Sequence, residues 1–124
     1  MNYRSTRDTS SSPISVSSAE AIKKGLAPDG GLYMPDMIPR LSSVDIAALR
    51  PLSYADRAAY VLSMFLTDYD KDTLLADCRE AYSEDRFPGG AAPTKKIDDV
   101  LTSLELWHGP TCAFKDTCIL CGEH

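Results

Sequence analysis

The chain has 124 residues, of which 44% are hydrophobic and 25% charged, with a formal net charge of −5. That length suits one ordinary small domain, and the composition excludes wholesale disorder. The negative balance, with no lysine- or arginine-rich run, argues against non-specific binding to nucleic acid or to an anionic membrane. No apolar core segment follows the basic residues near the N-terminus, and no apolar run approaches the roughly 18 residues of a membrane span. A cytoplasmic protein is therefore expected, with neither nucleic acid nor membrane as partner. In that compartment Cys78, Cys112, Cys118 and Cys121 are expected as free thiols.

Residues 3–6 read as an edge strand or an extended arm, and the polar stretch from Thr9 to Pro13 as a break. Ser17 and Glu20 form a capping-box pattern ahead of a short helix that Gly25 ends. Pro28-Asp29-Gly30-Gly31 is a strong turn. A brief strand over 32–34 follows, closed by Pro35. Ser42 or Ser43 caps a helix through Leu49, and Pro51 stops it. Ser53 caps the most strongly periodic helix, with Tyr54, Ala58, Val61, Leu62, Phe65 and Leu66 as its apolar stripe. Asp70 caps the next, over about 71–82, with Leu74, Leu75, Cys78, Ala81 and Tyr82 on its stripe. The short link predicts that these two helices lie antiparallel, with Cys78 as a small core residue. A proline- and glycine-rich loop spans 87–93. Strands over 94–97 and 100–107 follow, joined near Asp98 and Asp99.

The final stretch combines a strand-like half, the turn His108-Gly109-Pro110-Thr111, and a run able to open a helix with Thr111 as N-cap candidate. Lys115 would then sit in the first helical turn, where the macrodipole disfavours an ammonium. Two readings stay open on the residues alone. One is an amine that must sometimes be neutral and nucleophilic, able to form a Schiff base with an aldehyde cofactor. The other is a surface lysine whose stem covers apolar neighbours. Cys112, Cys118, Cys121 and His124 offer thiolate and imidazole ligands at short spacing, so a zinc-binding tail is an alternative beside helix-packing thiols.

Several runs of the sequence are more specific than their physics. Tyr3-x-Ser5-Thr6-Arg7, Val16-Ser17-x-x-Glu20-Ala21, Gly25-Leu26-Ala27-x-Asp29-Gly30-Gly31-Leu32-Tyr33-x-Pro35 and Leu104-Glu105-Leu106-x-His108-Gly109-Pro110-Thr111-x-Ala113-Phe114-Lys115-Asp116 occur in this order. The chain resembles threonine synthase over nearly its whole length, from Asn2 to Asp116. Asp8 departs from the pattern, since the family often has glycine there.

The resemblance implies an α/β protein. A helix-rich N-terminal domain with a few short strands, residues 1–88, would precede the first strand-turn-helix elements of a truncated fold type II domain, residues 89–124. It also implies an enzyme dependent on pyridoxal 5′-phosphate, a lyase of threonine biosynthesis that turns O-phospho-L-homoserine and water into L-threonine and phosphate. Lys115 matches the lysine that holds the cofactor and moves protons as general acid and base. His108, Thr111 and Asp116 would shape the pocket around it. Members of the family are several times longer, so the 124 residues would be an N-terminal part, inactive alone. A non-catalytic binding module is the alternative reading, with an unfinished sheet offering a route to self-association.

Overall fold

The computed structural model describes residues 1–119, with the side chains of 118 and 119 excepted. A three-stranded antiparallel sheet, four helices and a separate two-stranded hairpin lead into a last short helix.

The sheet has the order β2-β1-β3, with β1 Tyr3–Ser5, β2 Ser15–Val16 and β3 Tyr33–Pro35. The first strand is thus central, not an edge. The Asp8 carboxylate explains this: it accepts the N–H groups of Ser10 and Ile14, both at 3.0 Å, and folds the polar stretch back on itself. That return delivers Val16 opposite Tyr3. The departure from the family at Asp8 therefore has a local structural role. Pro35 pairs with Tyr3 as the last residue of β3, which a residue without an N–H can do on an outer strand.

The Ser-Thr-Arg and Asp-Gly-Gly segments bind each other. Asp29 Oδ1 accepts the Ser5 hydroxyl at 2.7 Å and the Gly31 N–H at 2.8 Å, while Arg7 Nη1 donates to the Asp29 carbonyl at 3.2 Å. Thr6 Oγ1 accepts the Leu32 N–H at 3.1 Å. Gly30 has φ +76°, and a Cβ on Gly31 would land on the Ser5 hydroxyl, so both glycines are required by the turn.

Helix α1, Ser18–Lys24, is capped by Ser17 and closed by Gly25 at φ +68°. Its first turn also docks on the later link between helices, because Asp68 accepts the Ser18 hydroxyl and, at 3.0 Å, the Ala19 N–H. Tyr3 adds a second tie, its phenol donating to the Phe65 carbonyl at 3.1 Å. Ser42, rather than Ser43, caps α2, Ser43–Leu49, in a full capping box with Asp45.

Helices α3, Tyr54–Phe65, and α4, Lys71–Ala81, begin at Ser53 and Asp70 caps and pack on each other. The start of α3 lies beside the end of α4: Arg79 pairs with Asp56 at 2.9 Å and the Tyr54 and Tyr82 rings meet edge-on at 5.0 Å. The pair is therefore antiparallel, as its short link predicts. Ala55, Ala59, Leu74 and Cys78 form the buried seam, with Ala58, Leu62, Leu66, Leu75 and Tyr82 packed against it. The α3 seam is rotated from the expected stripe, leaving Val61 exposed. The reason is that two alanines occupy the line of closest approach, where a small side chain lets the helices meet.

Strand β4, Thr94–Lys96, pairs antiparallel with β5, Thr102–Leu104, in a hairpin apart from the main sheet. Its turn is held by the Asp98 carboxylate, which accepts the N–H groups of Val100 at 2.8 Å and Leu101 at 2.7 Å. The strands are shorter than the sequence suggests, and residues 105–108 are irregular. No helix among the described residues is long and apolar enough to cross a membrane.

Candidate functional site

The stretch from β5 to the last helix folds around Asp116. Helix α5, Asp116–Ile119, begins at that residue, not at Thr111. The Thr111 hydroxyl, expected as an N-cap, instead donates to Asp116 Oδ1 at 2.6 Å, and the Thr111 N–H donates to Oδ2 at 2.8 Å. Cys112 has φ +57°, which stops a helix from running through 111–115. Its N–H closes a turn onto the Gly109 carbonyl at 3.0 Å.

Thr111 and Asp116 thus pin the two ends of a small loop, and Lys115 sits within it, one residue before α5. Lys115 precedes a four-residue helix and is not inside its first turn, where the macrodipole was expected to act on it. Its side chain is exposed, with Nζ 6.0 Å from the centre of the Phe114 ring. Among the described residues no carboxylate pairs with it.

Asp116 is 6% exposed. The Thr111 hydroxyl does most to hold its carboxyl below the usual carboxylate range. Partial burial opposes this and the Thr111 N–H adds to it. A group with a depressed folded-state pKa contributes stability that is present above its unfolded value and lost as pH falls through the folded one. Asp8, Asp29, Asp45, Asp56, Asp68, Asp70 and Asp98 are shifted in the same direction by caps and turns. The melting temperature is therefore expected to fall as pH drops below about 4. Asp116→Asn should flatten that acid limb, a comparison read by thermal melts across the range.

His108 is placed differently from the other three expected residues. Its Nδ1 lies 3.1 Å from the Pro88 carbonyl and its Nε2 2.8 Å from Glu105 Oε2. Which ring nitrogen donates depends on the tautomer, and either way the ring bridges the two groups. Trp107 stacks on the same ring at 4.0 Å. His108 thus clamps the 87–93 loop to the end of β5.

Beneath the loop lies an aromatic floor that the sequence did not single out. Phe87 is 1% exposed. Its ring is 5.9 Å from that of Tyr82, whose hydroxyl donates to the Thr117 carbonyl at 2.8 Å. Gly109 lies between this floor and Asp116. A Cβ there would sit 2.6 Å from the Asp116 Cβ and 2.9 Å from Phe87 Cε1. The only sequence signals for these contacts were the glycine inside the turn and an isolated phenylalanine before a proline.

The metal alternative gains nothing here. Cys121 and His124, and the side chain of Cys118, lie outside the described residues. Among the described residues no cluster of three His, Cys, Asp or Glu groups could hold an ion.

The family described as "Threonine synthase N terminus" matches residues 2–82. The chain belongs to the threonine synthase family. The threonine synthase of Methylobacillus glycogenes is 40% identical over 124 residues, a match covering 94% of this chain. That of Schizosaccharomyces pombe is 40% identical over 121 residues, covering 96%. The solved structure of threonine synthase from Brucella melitensis, described as PLP-bound, superposes with a TM-score of 0.86 at 37% identity over 98% of this chain. The threonine synthase structure from Escherichia coli follows at 0.80 and 31% identity. The α/β fold is thus that of the N-terminal region of threonine synthases. The chain spans about a quarter of the length of the curated relatives it matches, 26% for Methylobacillus glycogenes and 23% for Schizosaccharomyces pombe.

Proposed function

We propose that these residues serve as the N-terminal part of a threonine synthase, which uses pyridoxal 5′-phosphate to convert O-phospho-L-homoserine and water into L-threonine and phosphate. The observation that carries this is the presentation of Lys115. It offers an exposed amine, without a carboxylate partner among the described residues, on a loop pinned by Thr111 and Asp116. Such an amine fits an aldehyde cofactor, because the nitrogen is free to reach it and the loop holds its backbone in place.

When bound, pyridoxal phosphate supplies an electron sink for carbanions beside the substrate nitrogen. Lys115 Nζ is the atom that would hold its aldehyde carbon, and the same nitrogen, once released, takes up and returns protons. Thr111 and Asp116 orient the lysine backbone by their two hydrogen bonds. His108 acts one step further away, fixing the 87–93 loop against the strand that leads into the lysine turn. Among the described residues Lys115 is exposed to water, and no turnover is expected of the 124 residues alone.

The test is a chimera in which residues 1–124 replace the matching part of the Methylobacillus glycogenes threonine synthase. The chimera should release phosphate from O-phospho-L-homoserine. Lys115→Ala in it should abolish release, a loss of at least a thousandfold given typical effects on covalent catalysis. A Lys115→Ala chimera as active as its parent would overturn the assignment.

A further inference from the structure

Cys112 is the one residue other than glycine with a positive φ, +57°, among the described residues. A residue with a Cβ takes that left-handed backbone at a cost that glycine does not bear, and keeps it only where the surroundings impose it. Here hydrogen bonds on either side impose it. The Cys112 N–H closes one turn onto the Gly109 carbonyl at 3.0 Å, and the Asp116 N–H closes a second onto the Ala113 carbonyl at 3.1 Å. Cys112 is the joint between the two turns. The Asp116 carboxylate then reaches back across the joint and accepts the Thr111 hydroxyl at 2.6 Å and the Thr111 N–H at 2.8 Å. Cys112 is itself exposed and is a free cysteine among the described residues. The restraint therefore lies in its backbone and not in its sulfur.

A right-handed backbone at 112 would undo this arrangement. The two turns would run together as one helix. At about 100° per residue, Thr111 and Asp116 would then stand about 140° apart around the helix axis. Neither of the Thr111 bonds could form. Lys115 belongs to the second turn, one residue before Asp116. With the joint in place it stands at a fixed offset from the Thr111–Asp116 pair, and in a merged helix that offset is lost.

We propose that Cys112 is a positioning residue, whose left-handed backbone sets where the Lys115 amine is presented. The use made of that amine rests on the function proposed above. The state of the joint does not, and it is measured without cofactor.

The first measurements use the full 124-residue chain. Cys112→Gly should melt at or above the parental temperature, because glycine adopts a positive φ without strain, and should keep the Thr111 N–H protected from hydrogen exchange. Cys112→Val places a β-branched residue where it is a steric outlier, and should lower that protection at least tenfold. The second measurements use the chimera of residues 1–124 with the remainder of the Methylobacillus glycogenes enzyme. There Cys112→Val should lower kcat about a hundredfold, the effect of displacing a reacting group by about 1 Å, while KM for O-phospho-L-homoserine stays nearly unchanged. Cys112→Gly and Cys112→Asn, both tolerant of the left-handed region, should retain the parental kcat. If Cys112→Val melts early, the glycine variant decides. A Cys112→Gly chain that melts below the parent, or that loses the Thr111 protection, overturns the proposal. A Cys112→Val chimera with parental kcat also overturns it. A Cys112→Ala chimera that loses as much kcat as Cys112→Val would place the role in the thiol and overturn it too. Cofactor trapped on a lysine other than Lys115 would remove the proposed function, and the melting and exchange results would still decide the joint.

Discussion

Phe87→Ala is expected to destabilise the chain by about 3–5 kcal/mol, the usual cost of emptying an aromatic site in a core. Phe87 is 1% exposed and among the largest fully buried side chains described. Its ring stands between Tyr82 on the helical pair and Gly109 in the lysine turn. Its loss would leave a cavity where two parts of the fold meet, and neither backbone can close it without breaking hydrogen bonds. The 87–93 loop is tied by the Gly90 N–H to the Phe87 carbonyl at 2.8 Å, and the lysine turn by Asp116 to Thr111. The melting temperature should fall by roughly 10 °C or more. Hydrogen exchange should accelerate in residues 109–117 before it does in the α3–α4 seam, since Ala55, Ala59, Leu74 and Cys78 form a cluster that does not include Phe87. Uniform acceleration over the whole chain would show that the floor is not a local support.

Gly109→Ala should cost about 1–3 kcal/mol through overpacking. The clash is steric rather than conformational, because Gly109 is not among the residues of positive φ. The added methyl would press on the Asp116 Cβ at 2.6 Å, a short side chain that Thr111 already holds from two sides. The other obstacle is Phe87 at 2.9 Å. A Phe87→Leu change should therefore relieve part of the cost, with a coupling of about 0.5–2 kcal/mol in a double-mutant cycle. Strict additivity in denaturant melts would place the methyl away from Phe87 and contradict the packing described.

These predictions concern contacts that the sequence did not disclose, and the difference is one of range. The four long-lived signals were caps. Ser17, Ser42, Ser53 and Asp70 each bond a backbone N–H three residues on, so a local pattern suffices to place α1 to α4. The antiparallel pairing of α3 and α4 followed from the short link. What failed depended on distant partners. The central place of β1 comes from Asp8 drawing Ile14 back across six residues, which no strand propensity encodes. The expected α3 stripe held Ala58, Leu62 and Leu66 but lacked Ala55 and Ala59, because alanines carry little hydrophobic weight yet mark the line of closest approach. The expected N-cap at Thr111 failed because its hydroxyl serves a carboxylate five residues later. The pairing of Glu105 with His108 lies in an irregular stretch without periodicity to reveal it.

The family resemblance was legible where the physics was not. Two of its three N-terminal segments turn out to be one structure, since Ser5, Thr6 and Arg7 are the groups that hold the turn around Asp29 and Leu32. The C-terminal segment divides into supporting and presenting residues. Glu105 and His108 clamp a loop, Gly109 clears space, Thr111 and Asp116 fix the turn, and Lys115 and Phe114 are exposed beside each other.

The proposed chemistry therefore rests on the Lys115 amine, and covalent trapping of the cofactor locates it. The chimera of residues 1–124 with the remainder of the Methylobacillus glycogenes enzyme is loaded with pyridoxal phosphate and reduced with borohydride, which fixes the pyridoxyl group on the amine that held it. Peptide mapping should then find the group on Lys115, and not on Lys23, Lys24, Lys71, Lys95 or Lys96. A stoichiometric label on any other lysine, with Lys115 unmodified, would contradict its assignment as the cofactor lysine.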